Sequence, residues 1–462
     1  MPAIDFRPRA KLLKRTTTRC PECRRAVPGE VWREGTEPGR VVLRRTCPDH
    51  GNFQATLASD ARFYWLAKGN PCNGRSDCCA PAAESGAGGT LGRNAAGRQD
   101  EPFESLSTCL ALIEIVHSCN LACPTCYAES PVGTGAAVDA VPLEDLRRRI
   151  EGVVARKGGI EILQLSGGEP TLHPQFFELL DWAQGHEQID FVLVNTNGLR
   201  LAQDPEFAAR FAAAAARKGL QLYLQFDGVQ EAGQRTLRGA DLRDVRERAL
   251  EVCGRIGLPV TLAFTVTPEN LPHLGEAIAF GLERPHVQGI SFQPMFQSGR
   301  LPTPPTPATP AGSQRLNVAD VLLAAVDQSG GRLRFEDFTP LPCGDPNCAT
   351  IGYLLRLGNQ VHSVSEFLDF SQLQGFLKDK MNYRLEDLAR CGCETEPLGT
   401  LLHRLELQAT VAFRILVKPF MDAWTWDQDR IDRCCTHVIR PDGRLDSFCR
   451  YYSGFPDTRP AP

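Results

Sequence analysis

The stretch Leu110-Ala111-Leu112-Ile113-Glu114-Ile115-Val116-His117-Ser118-Cys119-Asn120-Leu121-Ala122-Cys123-Pro124-Thr125-Cys126-Tyr127 sets an apolar run directly before three cysteines. The run reads as a strand, and cysteines this close on one loop converge on a single point. Thiolates select zinc, Cu(I) or iron–sulfur clusters. A cubane held by four cysteines has one thiolate per iron. Cys119, Cys123 and Cys126 would therefore leave one iron open, as a catalytic metal site requires. The competing readings are chance clustering of buried cysteines and a zinc site, which wants a fourth ligand nearby.

Working outward, strands and helices alternate from residue 109 onward. The spacing predicts helices near 143–157, 174–184, 205–218, 242–256 and 271–281, and strands at 160–165, 191–194, 220–226, 260–266 and 289–294. Repeated strand–helix units imply parallel strands joined by right-handed crossovers. About six such units make an α/β fold, a partial (β/α)6 barrel with its chemistry at the carboxyl ends of the strands. Polar motifs fall at those ends: Gly167-Gly168-Glu169-Pro170, Asn195-Thr196-Asn197-Gly198 and Gln225-Phe226-Asp227-Gly228. Adjacent glycines let backbone groups approach a ligand closely. Ordinary turn chemistry of Asn, Asp and Gly is the alternative for the other two.

A strand followed by a CxxxCxxC loop ending beside an aromatic residue, here Tyr127, resembles the opening of the radical S-adenosylmethionine (SAM) superfamily. The resemblance implies that Cys119, Cys123 and Cys126 hold a [4Fe–4S] cluster whose open iron chelates SAM. It also implies that Gly167, Gly168 and Glu169 hold the SAM amino group. Tyr127, Asn195, Asn197, Gln225 and Asp227 are the further candidates for contact with SAM or substrate.

The remaining cysteines lie on either side of this core. Cys20-Pro21-Glu22-Cys23 and Cys47-Pro48-Asp49-His50-Gly51 flank two strand-like runs, the plan of a rubredoxin or zinc-ribbon knuckle for mononuclear iron or zinc. His50 and Cys72 compete as its fourth ligand. Cys72, Cys78 and Cys79 close an N-terminal metal-binding domain at 1–84, and a Gly-rich connection follows at 85–100. The core spans 101–300, and a Pro-rich spacer occupies 301–312. The segment 313–462 carries Cys343, Cys348, Cys391, Cys393, Cys434, Cys435 and Cys449, a density expected of an auxiliary iron–sulfur domain. Within it, 398–421 reads as a helix apolar on more than one face, either buried or the wall of an apolar tunnel. Cys253 reads as core packing, and Cys109 as a core or surface residue in place of a ligand.

Composition narrows the partners. Lys and Arg number 51 against 55 acidic residues, a formal net charge of −4, which gives no general attraction to nucleic acid or anionic membrane. The N-terminus has no apolar signal region, and no apolar run is long enough to span a bilayer. With 18 cysteines in close pairs and triplets, the chain reads as cytoplasmic, where thiols stay reduced and clustered cysteines serve metals.

The CPxC and CPxHG turns, the CNLxCPxCYA loop, the QFDG strand end, Cys343 to Cys348, Cys434-Cys435-Thr436-His437, Asp442-Gly443 and Phe448-Cys449-Arg450-Tyr451-Tyr452 resemble, over nearly the whole chain, the family of the archaeal tetraether lipid synthase. That family includes radical SAM proteins proposed to act as pterin methylases. The resemblance implies two auxiliary [4Fe–4S] clusters, a rubredoxin-like metal, and an external electron donor such as flavodoxin or ferredoxin. The expected reaction is reductive cleavage of SAM to a 5′-deoxyadenosyl radical that alkylates or C–C couples an unactivated carbon of a lipid or other apolar substrate. Methyl transfer to a pterin-like heterocycle and maturation of a peptide are the alternatives. A non-enzymatic metal-binding scaffold would instead contain zinc alone.

Overall fold

The computed structural model describes residues 10–68, 108–217, 219–301, 315–341, 344–367, 383–384 and 412–453. Cys72, Cys78, Cys79, Cys343, Cys391 and Cys393 lie outside them, as do the Gly-rich connection at 85–100 and most of the Pro-rich spacer.

The N-terminal segment forms a four-stranded antiparallel sheet from Ala10–Arg19, Ala26–Glu34, Arg40–Cys47 and Gly51–Ala58. Alternation decides its faces: Val31, Val41 and Leu43 are fully buried while Arg40 and Arg44 stay exposed. The turn between the first two strands closes with Cys20 N–H to Arg25 O and Arg24 N–H to Cys20 O, both 2.9 Å. It presents Cys20 and Cys23 beside Cys47, the last residue of the third strand.

The core places Leu110–Val116, Ile160–Gly167, Ile189–Thr196, Leu220–Gln225, Val260–Val266 and Val287–Pro294 side by side in chain order, all parallel. Helices Leu143–Lys157, Phe176–Gly185, Pro205–Ala215, Arg243–Arg255 and Leu274–Leu282 lie in the crossovers. The first shows why they form. Leu143, Leu146, Ile150, Val153 and Val154 bury one stripe at helical spacing, acids occupy the first turn, Arg156 and Lys157 the last, and Gly158 ends it at φ 95°.

The barrel is open, and later chain extends both of its flanks. Ala412–Val417 pairs parallel with Val287–Pro294, and Thr436–Ile439 pairs parallel with Leu110–Val116. The segment after residue 313 therefore shares its sheet with the core, and the 12-stranded sheet ends at Phe338–Pro340 and Leu445–Ser447 without closing. Of the helix expected over 398–421, residues 398–411 lie outside the described residues and the rest is corrected: Ala412–Val417 is a strand, flanked on both sides, with Ala412, Phe413, Ile415 and Val417 buried. A strand buried on two faces is apolar all round, so its periodicity looks like that of a buried helix.

Candidate active site and metal centres

The three-cysteine loop is fixed to the barrel by backbone bonds at its ends. Cys119 N–H donates to Pro131 O at 2.8 Å, and Cys126 exchanges bonds with Arg300 at 3.0 and 2.9 Å. The Arg300 guanidinium reaches inward, donating to Cys123 O at 2.9 Å and Ser130 O at 3.1 Å. Gly299 sits at φ +65°, and a Cβ there would stand 2.3 Å from Cys126 O. The glycine pair holds the other side of the loop. Gly168 N–H donates to Val116 O at 2.8 Å, and Cβ atoms at Gly167 and Gly168 would each stand 2.1 Å from a carbonyl oxygen, of Val116 and Ser118 respectively. No residue with a side chain fits either place.

These elements wall a cavity enclosing about 1050 Å³, solvent mouth included, at the carboxyl ends of the strands. Cys119, Cys123, Cys126, Tyr127, Gly167, Gly168, Asn195, Asn197 and Gln225 all line it. Asn197 lies against the loop, its Nδ2 donating to Asn120 Oδ1 at 2.7 Å and standing 3.9 Å from Cys119 Sγ. The donor set suits a cubane held by three thiolates. Burial, with the Glu169 charge behind it, pushes the Cys119 thiol up to about 12, so it needs a metal to ionise near neutrality.

Two further candidates, Glu169 and Asp227, do not line the cavity. Glu169 is 1% exposed and turned away from the cavity. Its carboxylate accepts from Thr171 N–H at 3.2 Å, Thr171 Oγ1 at 2.6 Å, Thr196 Oγ1 at 2.6 Å and Asn197 N–H at 2.8 Å. Four donors from two strand ends make it the pin of this corner. Asp227, fully buried at φ +62°, likewise does not line the cavity. It receives Arg238 Nε at 2.6 Å and NH2 at 3.0 Å, with Thr265 N–H at 3.0 Å and Gln225 Nε2 at 2.8 Å. The pair holds the Asp227 carboxyl below its ordinary range against the opposing effect of burial. Arg238 is what Asp227 presents to the cavity.

Arg238, Thr265, Gln293, Met295, Phe296 and Arg300 also line it and were not legible from motifs. Gln293 lies near the carboxyl end of the last barrel strand and Arg300 follows it, and only the strand-end rule for such barrels pointed there.

The second centre is in the N-terminal sheet. The ligand atoms of Cys20, Cys23, Cys47 and His50 lie within 4.8 Å of one another. His50 completes the group, while Cys72, its competitor for the fourth position, lies outside the described residues; Cys3His suits a tetrahedral zinc ion. The hydrogen bond from His50, at 3.4 Å, draws the Cys47 thiol down to about 7.

A third group of thiols surrounds the C-terminal strands. Cys434 and Cys449 are buried and Cys348 and Cys435 half-buried. They lie close enough that burial first, and then one another's charge, raise Cys434 to about 11 and Cys449 and Cys435 to about 12. Cys253 is fully buried in the barrel core, as expected. Cys109 N–H donates to Cys435 O at 2.8 Å.

Among the described residues no helix is long and apolar enough to cross a membrane. The radical SAM superfamily model matches residues 113–281, and the model of the HMPTM N-terminal zinc ribbon domain matches residues 12–59. The chain is 24% identical to 7,8-dihydro-6-hydroxymethylpterin dimethyltransferase of Methanocaldococcus jannaschii, over 95% of this chain and 93% of that one. It is 29% identical over 167 residues to mycofactocin maturase of Mycobacterium ulcerans, covering 36% of this chain and 42% of the maturase. Among solved structures, Streptococcus suis SuiB aligns with a TM-score of 0.35 at 18% identity, over 42% of this chain and 41% of that one. A radical SAM domain works with a [4Fe–4S] cluster and SAM. Residues 113–281 are such a domain, and the chain that joins it to an N-terminal zinc ribbon is a radical SAM enzyme.

Proposed function

We propose that this enzyme methylates a pterin or a closely similar small heterocycle. The observation that carries the reading is the extent of the likeness to the archaeal dimethyltransferase, which includes both the ribbon and the core, 95% of the chain. The likeness to the peptide maturase covers only 36%. The cavity supports the same choice. Gln293 offers an amide donor and acceptor, Arg238 a cation, and Tyr127 and Phe296 ring faces, which together suit a flat, hydrogen-bonding ring better than a lipid chain.

In this reading Cys119, Cys123 and Cys126 hold the cluster, while Gly167, Gly168, Asn195, Asn197 and Gln225 surround SAM. When bound, the cluster and SAM supply an electron and the 5′-deoxyadenosyl radical it generates. The chain orients the reactants and keeps water from the radical. Glu169 and Asp227 position the residues that touch them. Cys348, Cys434 and Cys449, with Cys435 beside them, hold an auxiliary cluster. A flavodoxin or ferredoxin in the cytoplasm supplies electrons.

Anaerobically reconstituted protein, given SAM, dithionite and 7,8-dihydro-6-hydroxymethylpterin, is expected to release 5′-deoxyadenosine together with a methylated pterin seen by mass spectrometry. Methyl-labelled SAM identifies the source of the methyl group. Release of 5′-deoxyadenosine that a lipid stimulates and the pterin does not would overturn the choice of substrate.

A further inference from the structure

The C-terminal thiols are buried beside a cation to which no motif pointed. Arg430 lies on the short helix Gln428–Asp432 and is 8% exposed. Its NH2 stands 3.7 Å from Cys348 Sγ and 3.4 Å from Pro419 O, and its Nε has no acceptor among the described residues. Asp345 and Asp427, both nearly inaccessible, are its acidic neighbours. Asp427 is already engaged by the ribbon, with Lys14 Nζ at 2.5 Å and Thr16 Oγ1 at 2.7 Å. Asp345 is shared with Arg433 at 3.5 Å. A second cation, Lys418, donates to Thr436 Oγ1 at 2.7 Å next to Cys434 and Cys435.

A guanidinium is charged at every working pH, and burying it is costly unless negative charge faces it. Its two carboxylates are partly committed elsewhere, so the thiolate side supplies the rest. We infer that Arg430 is a positioning residue for the cluster on Cys348, Cys434 and Cys449, and that its charge raises the cluster's reduction potential by stabilising the reduced form. The inference rests on the auxiliary-cluster reading above. Reduction adds one electron from dithionite and no proton, because Arg430 keeps its charge in both states. The ribbon takes part from outside, since Lys14 and Thr16 fix Asp427, the residue that caps the helix carrying Arg430.

The test uses the full chain with Cys119, Cys123 and Cys126 all changed to Ala, so that only auxiliary iron reports. Iron is counted per chain, and dithionite titrations are followed by electron paramagnetic resonance. Arg430→Gln is expected to lower the reduced-to-oxidised ratio about tenfold at the parent midpoint, a shift of about 59 mV to more negative potential for a one-electron couple. Arg430→Lys should restore most of it. Asp345→Asn, which removes a negative charge, should move the midpoint the other way. An unmoved midpoint in Arg430→Gln overturns the inference. Should that variant fail to retain iron, Asp345→Asn decides alone, and a midpoint unmoved or lowered overturns it. A parent without a cubane signal breaks the auxiliary-cluster reading instead, and the Arg430 inference falls with it.

Discussion

The ribbon knuckle and the barrel loop both begin with cysteines two or three residues apart, yet they are built on opposite plans. In the ribbon, the ligand atoms of Cys20, Cys23, Cys47 and His50 lie within 4.8 Å of one another, and two hairpins carry all four. In the barrel, Cys119, Cys123 and Cys126 occupy one wall of a cavity whose other walls come from five different strand ends. The first plan completes the metal's coordination and leaves nothing for a substrate; the second leaves a position open. What holds each site differs accordingly. The ribbon relies on its ligands, whereas the barrel loop relies on backbone contacts and a buried polar scaffold that touch no metal.

The sharpest way to break this contrast is a methyl group at the glycine pair. Gly168→Ala puts a Cβ 2.1 Å from Ser118 O, one residue before Cys119. The loop must move, and the variant is expected to lose about four irons per chain and its release of 5′-deoxyadenosine, while its zinc content stays at the parent value. The ribbon's counterpart, Gly51, sits at φ +78°, and a Cβ there would meet nothing within 4 Å. Gly51→Ala should cost only about 1–2 kcal/mol in denaturant unfolding and keep both metals. If the two alanines behave alike, the difference in plan is wrong.

Removing a ligand tests the other half. His50→Ala should weaken zinc roughly a hundredfold, one ligand's share of the binding energy of a structural site, as measured by competition with a chelator, and His50→Cys should restore it. Cluster iron on the barrel loop should not change. Asp227→Asn comes next in size. It leaves Arg238 buried with half its compensation, which should cost about 2 kcal/mol, less than the roughly 3–5 kcal/mol expected when a buried partner is lost outright. Because Arg238 lines the cavity, the apparent affinity for SAM should fall with it. Stability and affinity both at parent values would mean that the pair is not what positions Arg238.

The two plans also explain what could be read from sequence. Closely spaced cysteines declare themselves, so the barrel loop, the knuckle and the spacing of His50 were legible. The glycine pair was legible as a close approach, because only glycine permits one. Glu169 was legible as a candidate, but its hydrogen bonds were not: Thr196 and Asn197, from the next strand, donate to its carboxylate. Arg238 and Gln293 belong to no spacing pattern at all. They meet the cysteines only after the strands have been set side by side, and Ala412–Val417 was misread because burial on both faces erases the period that separates strand from helix.

The smallest effect separates the two sites by their acidity in metal-free protein. Cys23 accepts a hydrogen bond from the Arg25 backbone N–H, which holds its thiol below the ordinary range, whereas burial and the nearby Glu169 charge push Cys119 up to about 12. Only the thiolate is alkylated. At pH 8 iodoacetamide should therefore label Cys23 before Cys119 in the apo-protein, as peptide mass spectrometry would show. Cys23 is also the more accessible of the two, and access alone would give the same order. The pH dependence removes that ambiguity. A thiol far below its titration point gains about tenfold in rate per pH unit, while one already ionised gains nothing. The Cys23 rate should level off at lower pH than that of a free cysteine, and the Cys119 rate should still be climbing at pH 10. Parallel slopes would show that access, not acidity, distinguishes the closed site from the open one.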